Sequence, residues 1–136
     1  MDSHWHAPTG SGEHSRKTIG CSNLAAWQLM KALGISAQKY LSKFVSLQAY
    51  YTIAGRDLER ELIPLLLDQK VGLMVWSPLA GGLLSGKYSR DTETKEGRRV
   101  NYDFPPVNKE KAYDIIDVIK SMAEKKGSSV AHIGNR

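Results

Sequence analysis

Apolar and polar positions along this chain alternate between strand-like and helix-like spacing. Lys17-Thr18-Ile19-Gly20-Cys21 is a short apolar run that stops at Ser22-Asn23, which predicts a buried strand. Leu24, Trp27, Met30 and Leu33 then recur at a spacing of three. That predicts a helix with one apolar face, capped by Asn23 and stopped by Gly34. Phe44-Val45-Ser46-Leu47-Gln48-Ala49-Tyr50 has the β-branched and aromatic content of a second strand. A second helix is predicted from about Asp57 to Gln69, where Leu58, Leu62, Leu65 and Leu66 share a face and Pro64 should bend the axis. Val71 to Trp76 is the third strand. Asn108 opens a long helix to about Lys126, with Tyr113, Ile116, Ile119 and Met122 at a spacing of three and Val118 beside them. Gly127 ends it, and Ser128 or Ser129 starts one more.

The order is strand, helix, strand, helix, strand, loop, helix. Such alternation implies an α/β fold with a parallel sheet and right-handed crossovers. Three parallel strands leave two open edges and little core, so the pattern predicts part of a larger α/β fold. Residues 1–15 show no periodicity and are expected to be disordered, with the domain occupying 16–136. Residues 85–107 form a long polar loop containing Gly97, Arg98, Arg99, Pro105 and Pro106.

Composition narrows the class. The 136 residues suffice for one ordinary domain, and 41% hydrophobic with 24% charged residues is a soluble, globular balance. The net charge of +5 comes from dispersed Lys and Arg, without the basic stripe and interleaved aromatics that nucleic-acid binding needs. An anionic small-molecule cofactor suits that charge, as does a merely solvated surface. The single cysteine, Cys21, excludes an internal disulfide and favours a reducing, cytoplasmic location. With no His or Asp near it in sequence, Cys21 reads as a buried structural thiol rather than a nucleophile. No apolar run approaches the roughly 18–20 residues of a membrane span, and the N-terminus lacks the apolar core of a signal peptide. His4 and His6 lack further ligands at a fixed spacing, so no metal site is assigned.

The chemistry concentrates in Val75-Trp76-Ser77-Pro78-Leu79-Ala80-Gly81-Gly82-Leu83-Leu84-Ser85-Gly86-Lys87. Small residues after a strand let a backbone approach an anion, and Lys87 supplies charge. The order of residues matches neither the phosphate loop of nucleotide triphosphatases nor the dinucleotide fingerprint of Rossmann folds.

Three motifs in sequence order, Ile19-Gly20-Cys21-Ser22-Asn23, Ser46-Leu47-Gln48-Ala49-Tyr50-Tyr51 and Trp76 to Lys87, each sit at the end of a predicted strand. In this the chain resembles the aldo-keto reductases over roughly residues 17–133. The resemblance implies a partial TIM (β/α)8 barrel, about three parallel strands with flanking helices, with its site at the C-terminal ends of the strands. It implies that Ser22, Asn23 and Gln48 hold a nicotinamide carboxamide, which needs the donors and acceptors that amides offer. It implies that Trp76 stacks on the nicotinamide ring. Ser77, Pro78, Leu79, Ala80 and Gly81 would run along the pyrophosphate, with Lys87 at a phosphate. Arg98 or Arg99 falls where the family often contacts an adenosine 2′-phosphate, which makes NADP the expected cofactor and NAD the alternative.

The family's Asp, Tyr, Lys and His tetrad comes before its Ser-Asn motif. Only 21 residues precede Ser22 here and they do not resemble that region, so no catalytic residue is assigned. The resemblance therefore implies a fragment of an NADP-dependent oxidoreductase acting on a small carbonyl or alcohol, inactive alone. The alternatives are a non-catalytic cofactor-binding or regulatory module and an inactive truncated product. The open sheet edges would allow self-association.

Overall fold

The computed structural model describes residues 18–88 and 104–135. The expectations for residues 1–15, for most of the loop 85–107 and for Arg98 and Arg99 lie outside them. Strands β1 (Ile19–Ser22), β2 (Phe44–Tyr50) and β3 (Gly72–Trp76) form one sheet in the order β1-β2-β3, with both pairs parallel. Helix α1 (Ala26–Gln38) connects the first pair, and α2 (Leu62–Gln69) connects the second. Helices α3 (Lys109–Lys126) and α4 (Val130–Gly134) follow. The predicted parallel α/β layer is thus present.

Alternation along the strands gives the sheet two unlike faces. Leu47, Ala49 and Val71 pack with Leu29 and Leu33 of α1 and Leu66 of α2, and Cys21 and Leu73 join this cluster. On the other face Ser22, Gln48 and Met74 are exposed neighbours in one register row. A second cluster lies beyond the strand ends. There Ala80, Leu83 and Leu84 pack against Ala54 and against Ala112 and Ile116 of α3.

Several sequence expectations are corrected. Asn23 does not cap α1. The N-cap is Ala25, whose backbone N–H donates to Gln28 Oε1 at 2.9 Å. Gly34 does not stop α1 either. The helix runs on to Gln38 and ends where Tyr40 takes a left-handed φ of 55° and the Leu41 N–H reaches back to the Ser36 carbonyl at 2.9 Å. The buried face of α1 is Leu29, Leu33 and Ser36, whereas Trp27 and Met30 are exposed. On α3 the buried positions are Ala112, Ile116, Ile119 and Ala123, with Val118 and Met122 exposed. In both helices the strict spacing of three drifts off the 3.6-residue period, so it leaves the face that spacings of three and four keep.

The segment predicted as one helix from Asp57 to Gln69 is two elements, a single 3₁₀ turn (Asp57–Glu59) and α2. Pro64 lies in the first turn of α2, where its missing N–H removes no intrahelical bond. The α3 boundaries are as expected. Asn108 Oδ1 accepts from the Lys111 N–H at 3.0 Å, and Gly127 closes the helix with a left-handed φ of 57°. Ser129 caps α4 by accepting from the His132 N–H at 3.2 Å.

Candidate functional site at the strand ends

Ser22 and Asn23 end β1, Gln48 lies near the end of β2, and Trp76 and Ser77 end β3. Parallel pairing brings these ends to one edge of the sheet. Ser22 is the register partner of Gln48, and Tyr50 is the partner of Trp76. Asn23 links all three strands. Its N–H donates to the Gln48 carbonyl at 2.9 Å, and its Oδ1 accepts from the indole Nε1–H of Trp76 at 2.9 Å. It does so with a left-handed φ of 54°, a conformation that asparagine tolerates better than most residues. The cap expected of Asn23 is given up because its backbone N–H and its side-chain oxygen are both drawn across the sheet.

Trp76 is half-buried among aromatics. The Tyr50 ring lies beside it with centroids 4.9 Å apart and planes tilted by 39°. The Phe104 ring stacks on it at 5.8 Å with planes within 11°. Sequence reasoning missed Phe104. Its only signal was an apolar ring beside Pro105-Pro106 in a polar stretch.

The glycine-rich loop leaves β3 through Ser77, at a left-handed φ of 52°. Ala80, Gly81 and Gly82 continue with φ of 51°, 64° and 94°. Ser77 Oγ accepts from the Gly81 N–H at 2.7 Å, and the Ser77 carbonyl accepts from the Ala80 N–H at 2.8 Å. The Leu79 carbonyl accepts from the N–H groups of Gly82 at 3.0 Å and Leu84 at 3.1 Å. The donors of Ala80, Gly81, Gly82 and Leu84 are therefore engaged inside the loop, not aimed outward at an anion. Ala80 exposes none of its surface, so it anchors the loop in the second cluster, while Ser77, Pro78, Leu79 and Gly81 stay partly accessible and Lys87 is exposed. Ser77 and Ala80, non-glycine residues held at left-handed φ after one strand end, carry backbone strain of the kind that collects at functional sites.

Cys21 points to the helix-covered face, where its Sγ donates to the Ser46 carbonyl at 3.6 Å. Burial pushes its thiol above the ordinary range, which favours the unreactive protonated form. Tyr51, after β2, donates its hydroxyl to Glu59 Oε1. Arg56 grips the same carboxylate twice, Nε to Oε1 at 2.6 Å and Nη2 to Oε2 at 2.9 Å. The hydrogen bond to Glu59 holds the Tyr51 phenol above its usual range, which is the reverse of an activated general acid. Among the described residues, no cluster of three or more His, Cys, Asp and Glu side chains could hold a metal, and no helix is long and apolar enough to cross a membrane.

The comparisons with known proteins agree on one family. The model of the aldo/keto reductase family matches residues 16–136. The chain is 34% identical over 117 residues to the versiconal hemiacetal acetate reductase of Aspergillus parasiticus, covering 85% of this chain and 34% of that protein. It is 32% identical over 111 residues to the uncharacterized oxidoreductase YrpG of Bacillus subtilis, covering 81% of this chain and 33% of the relative. The solved glycerol dehydrogenase of Gluconobacter oxydans superposes with a TM-score of 0.61 at 27% identity, over 83% of this chain and 33% of that one. The chain thus spans about a third of the length of these relatives, and its three parallel strands and flanking helices match part of a TIM barrel. Motifs, fold and family model coincide over the same residues: the chain belongs to the aldo/keto reductase family.

Proposed function

We propose that this chain carries the nicotinamide and pyrophosphate part of an NADP site. In an aldo-keto reductase, that site serves hydride transfer between the cofactor and a small carbonyl or alcohol. The observation that carries the reading is Asn23, whose two hydrogen bonds gather Ser22, Gln48 and Trp76 at one sheet edge. The residues present suit the group. A carboxamide needs both donors and acceptors, and exposed Ser22 and Gln48 offer them from neighbouring strands. With Asn23 Oδ1 held by the indole, its Nδ2 is the atom left to donate to a carbonyl oxygen. Trp76 offers a flat apolar face for a ring. Lys87 supplies charge at the end of the loop for a phosphate, and Arg98 or Arg99 supplies the preference for a 2′-phosphate. When bound there, the nicotinamide supplies or accepts the hydride. The protein residues named here bind and orient, and none of them is assigned a proton-transfer role, so the chain alone is expected to bind cofactor without turnover.

Isothermal titration calorimetry tests this. NADPH should bind in the micromolar range and more tightly than NADH. Gln48→Ala, at an exposed position, should weaken NADPH by about tenfold, the loss of one or two hydrogen bonds. Absence of measurable binding to either nucleotide overturns the reading.

A further inference from the structure

The ring that the cofactor reading places on Trp76 meets a side chain already there. Phe104 stacks on the indole with centroids 5.8 Å apart and planes within 11°. A third aromatic ring between them would need two layers of carbon contact of about 3.5–4.0 Å each, so roughly 7 Å or more between the planes. The stack is too tight for that. On the β2 side the Tyr50 ring stands 4.9 Å away, and the Asn23 bond to Nε1 fixes the indole in its plane. Trp76 therefore cannot turn a free face outward by rotating without breaking that bond. Of the three rings, Phe104 is the one whose displacement breaks no strand pairing. It lies outside every strand and helix, whereas Tyr50 and Trp76 sit in the paired register of β2 and β3.

We infer that Phe104 is a built-in competitor for the nicotinamide subsite: it occupies the stacking face of Trp76 and must leave before a nicotinamide ring can bind. This rests on the cofactor reading above and adds to it a self-blocking contact. The aromatic pair keeps an apolar indole face out of water when no ring covers it, and part of the stacking free energy of the cofactor is lost in displacing Phe104. Binding of the nicotinamide end then weakens relative to the phosphate end, because Phe104 opposes only the former.

Affinity measurements on the full chain test it, with Trp5→Phe and Trp27→Phe introduced so that Trp76 is the sole indole emitter. In that background Phe104→Ala should shift the cofactor-free emission of Trp76. By calorimetry it should also bind NADPH about two- to tenfold more tightly, the range a released aromatic pair gives. Phe104 is 39% exposed, so truncation leaves no core cavity. Phe104→Leu, which keeps bulk and loses the plane, should fall between and serves if the alanine variant misfolds. A fragment without nicotinamide, 2′,5′-ADP, should bind wild type and Phe104→Ala equally. NADPH affinity that is unchanged or lower in both variants, with the wild type binding, overturns the inference and leaves the cofactor site standing. No NADPH binding by any of the chains overturns the cofactor reading, and this inference with it.

Discussion

The side-chain carbonyl of Asn23 accepts a 2.9 Å hydrogen bond from the indole N–H of Trp76, joining the ends of two strands that do not pair with each other. Only β2 lies between them, and Asn23 also bonds the β2 backbone at Gln48. The residue does this from a left-handed conformation. Two substitutions separate its two contributions. Asn23→Gly keeps the backbone and loses the side-chain bond, a cost of about 1 kcal/mol. Asn23→Ala loses the bond and adds left-handed strain, for a total of about 2–3 kcal/mol. Urea unfolding followed by tryptophan fluorescence should rank the midpoints wild type, glycine, alanine. Equal midpoints for glycine and alanine would show that the positive φ carries no strain.

A second left-handed position ties the glycine-rich loop to α4. Gly86 has a φ of 84°, and a Cβ placed on it would come within 2.9 Å of the Val130 side chain. Gly86→Ala should therefore destabilise through both strain and clash, by about 2 kcal/mol or more. Adding Val130→Ala removes the clash and leaves the strain. The double variant should recover part of the lost melting temperature, although Val130→Ala alone lowers it. If the double variant melts at the sum of the two single losses, the side chains do not meet as described.

The legible part of the fold was its order. The second strand is legible from its β-branched and aromatic run, and the ends of the first and third from Ser22-Asn23 and Ser77-Pro78. Helix faces were harder to read. A spacing of three picks Leu33, which is buried, and Leu24, which packs on the core, but also Trp27 and Met30, which are exposed, and it passes over Leu29. Ala112 and Ala123 give little periodic signal because their side chains are small, although both are buried, Ala112 in the cluster that anchors the loop. The end of α1 was illegible because a tyrosine, not a glycine, takes the left-handed position. In the site, residue types and strand ends could be read, but the Asn23 bond to Trp76 spans 53 positions and the Phe104 stack spans 28, and no local pattern encodes either.

The two faces of the sheet should respond unequally to truncation. Leu47 is wholly buried between the sheet and its helices, while Met74 on the opposite face is 54% exposed. Leu47→Ala should lose about 2–5 kcal/mol. Met74→Ala should change stability by no more than about 0.5 kcal/mol. Because Ser22, Gln48 and Met74 leave one face of the sheet exposed among the described residues, the wild-type melt should be broad and aggregation-prone. Calorimetry that gave a sharp two-state transition of a monomer, or comparable losses in the two variants, would count against an open face.

Tyr51, Glu59 and Arg56 predict two pH signatures of opposite sign. The Arg56 and Tyr51 hydrogen bonds hold the Glu59 carboxyl below its ordinary range. A lowered carboxyl contributes stability above the unfolded pKa of about 4.3, and that contribution fades as pH falls through the folded value. The Glu59 hydrogen bond holds the Tyr51 phenol above its ordinary range. A raised phenol contributes stability below the unfolded pKa of about 10, and loses it as pH rises through the folded value. Both groups lie at the surface, so the stability effect is small and the titrations themselves are the sensitive readout. Carbon-detected NMR of the Glu59 carboxyl should show a depressed midpoint that rises in Arg56→Ala. Phenolate absorbance, compared with Tyr51→Phe to isolate this tyrosine, should show its midpoint falling toward the ordinary value in Glu59→Gln. A Tyr51 midpoint that ignores the loss of Glu59 would mean that the phenol and carboxylate do not bond in solution.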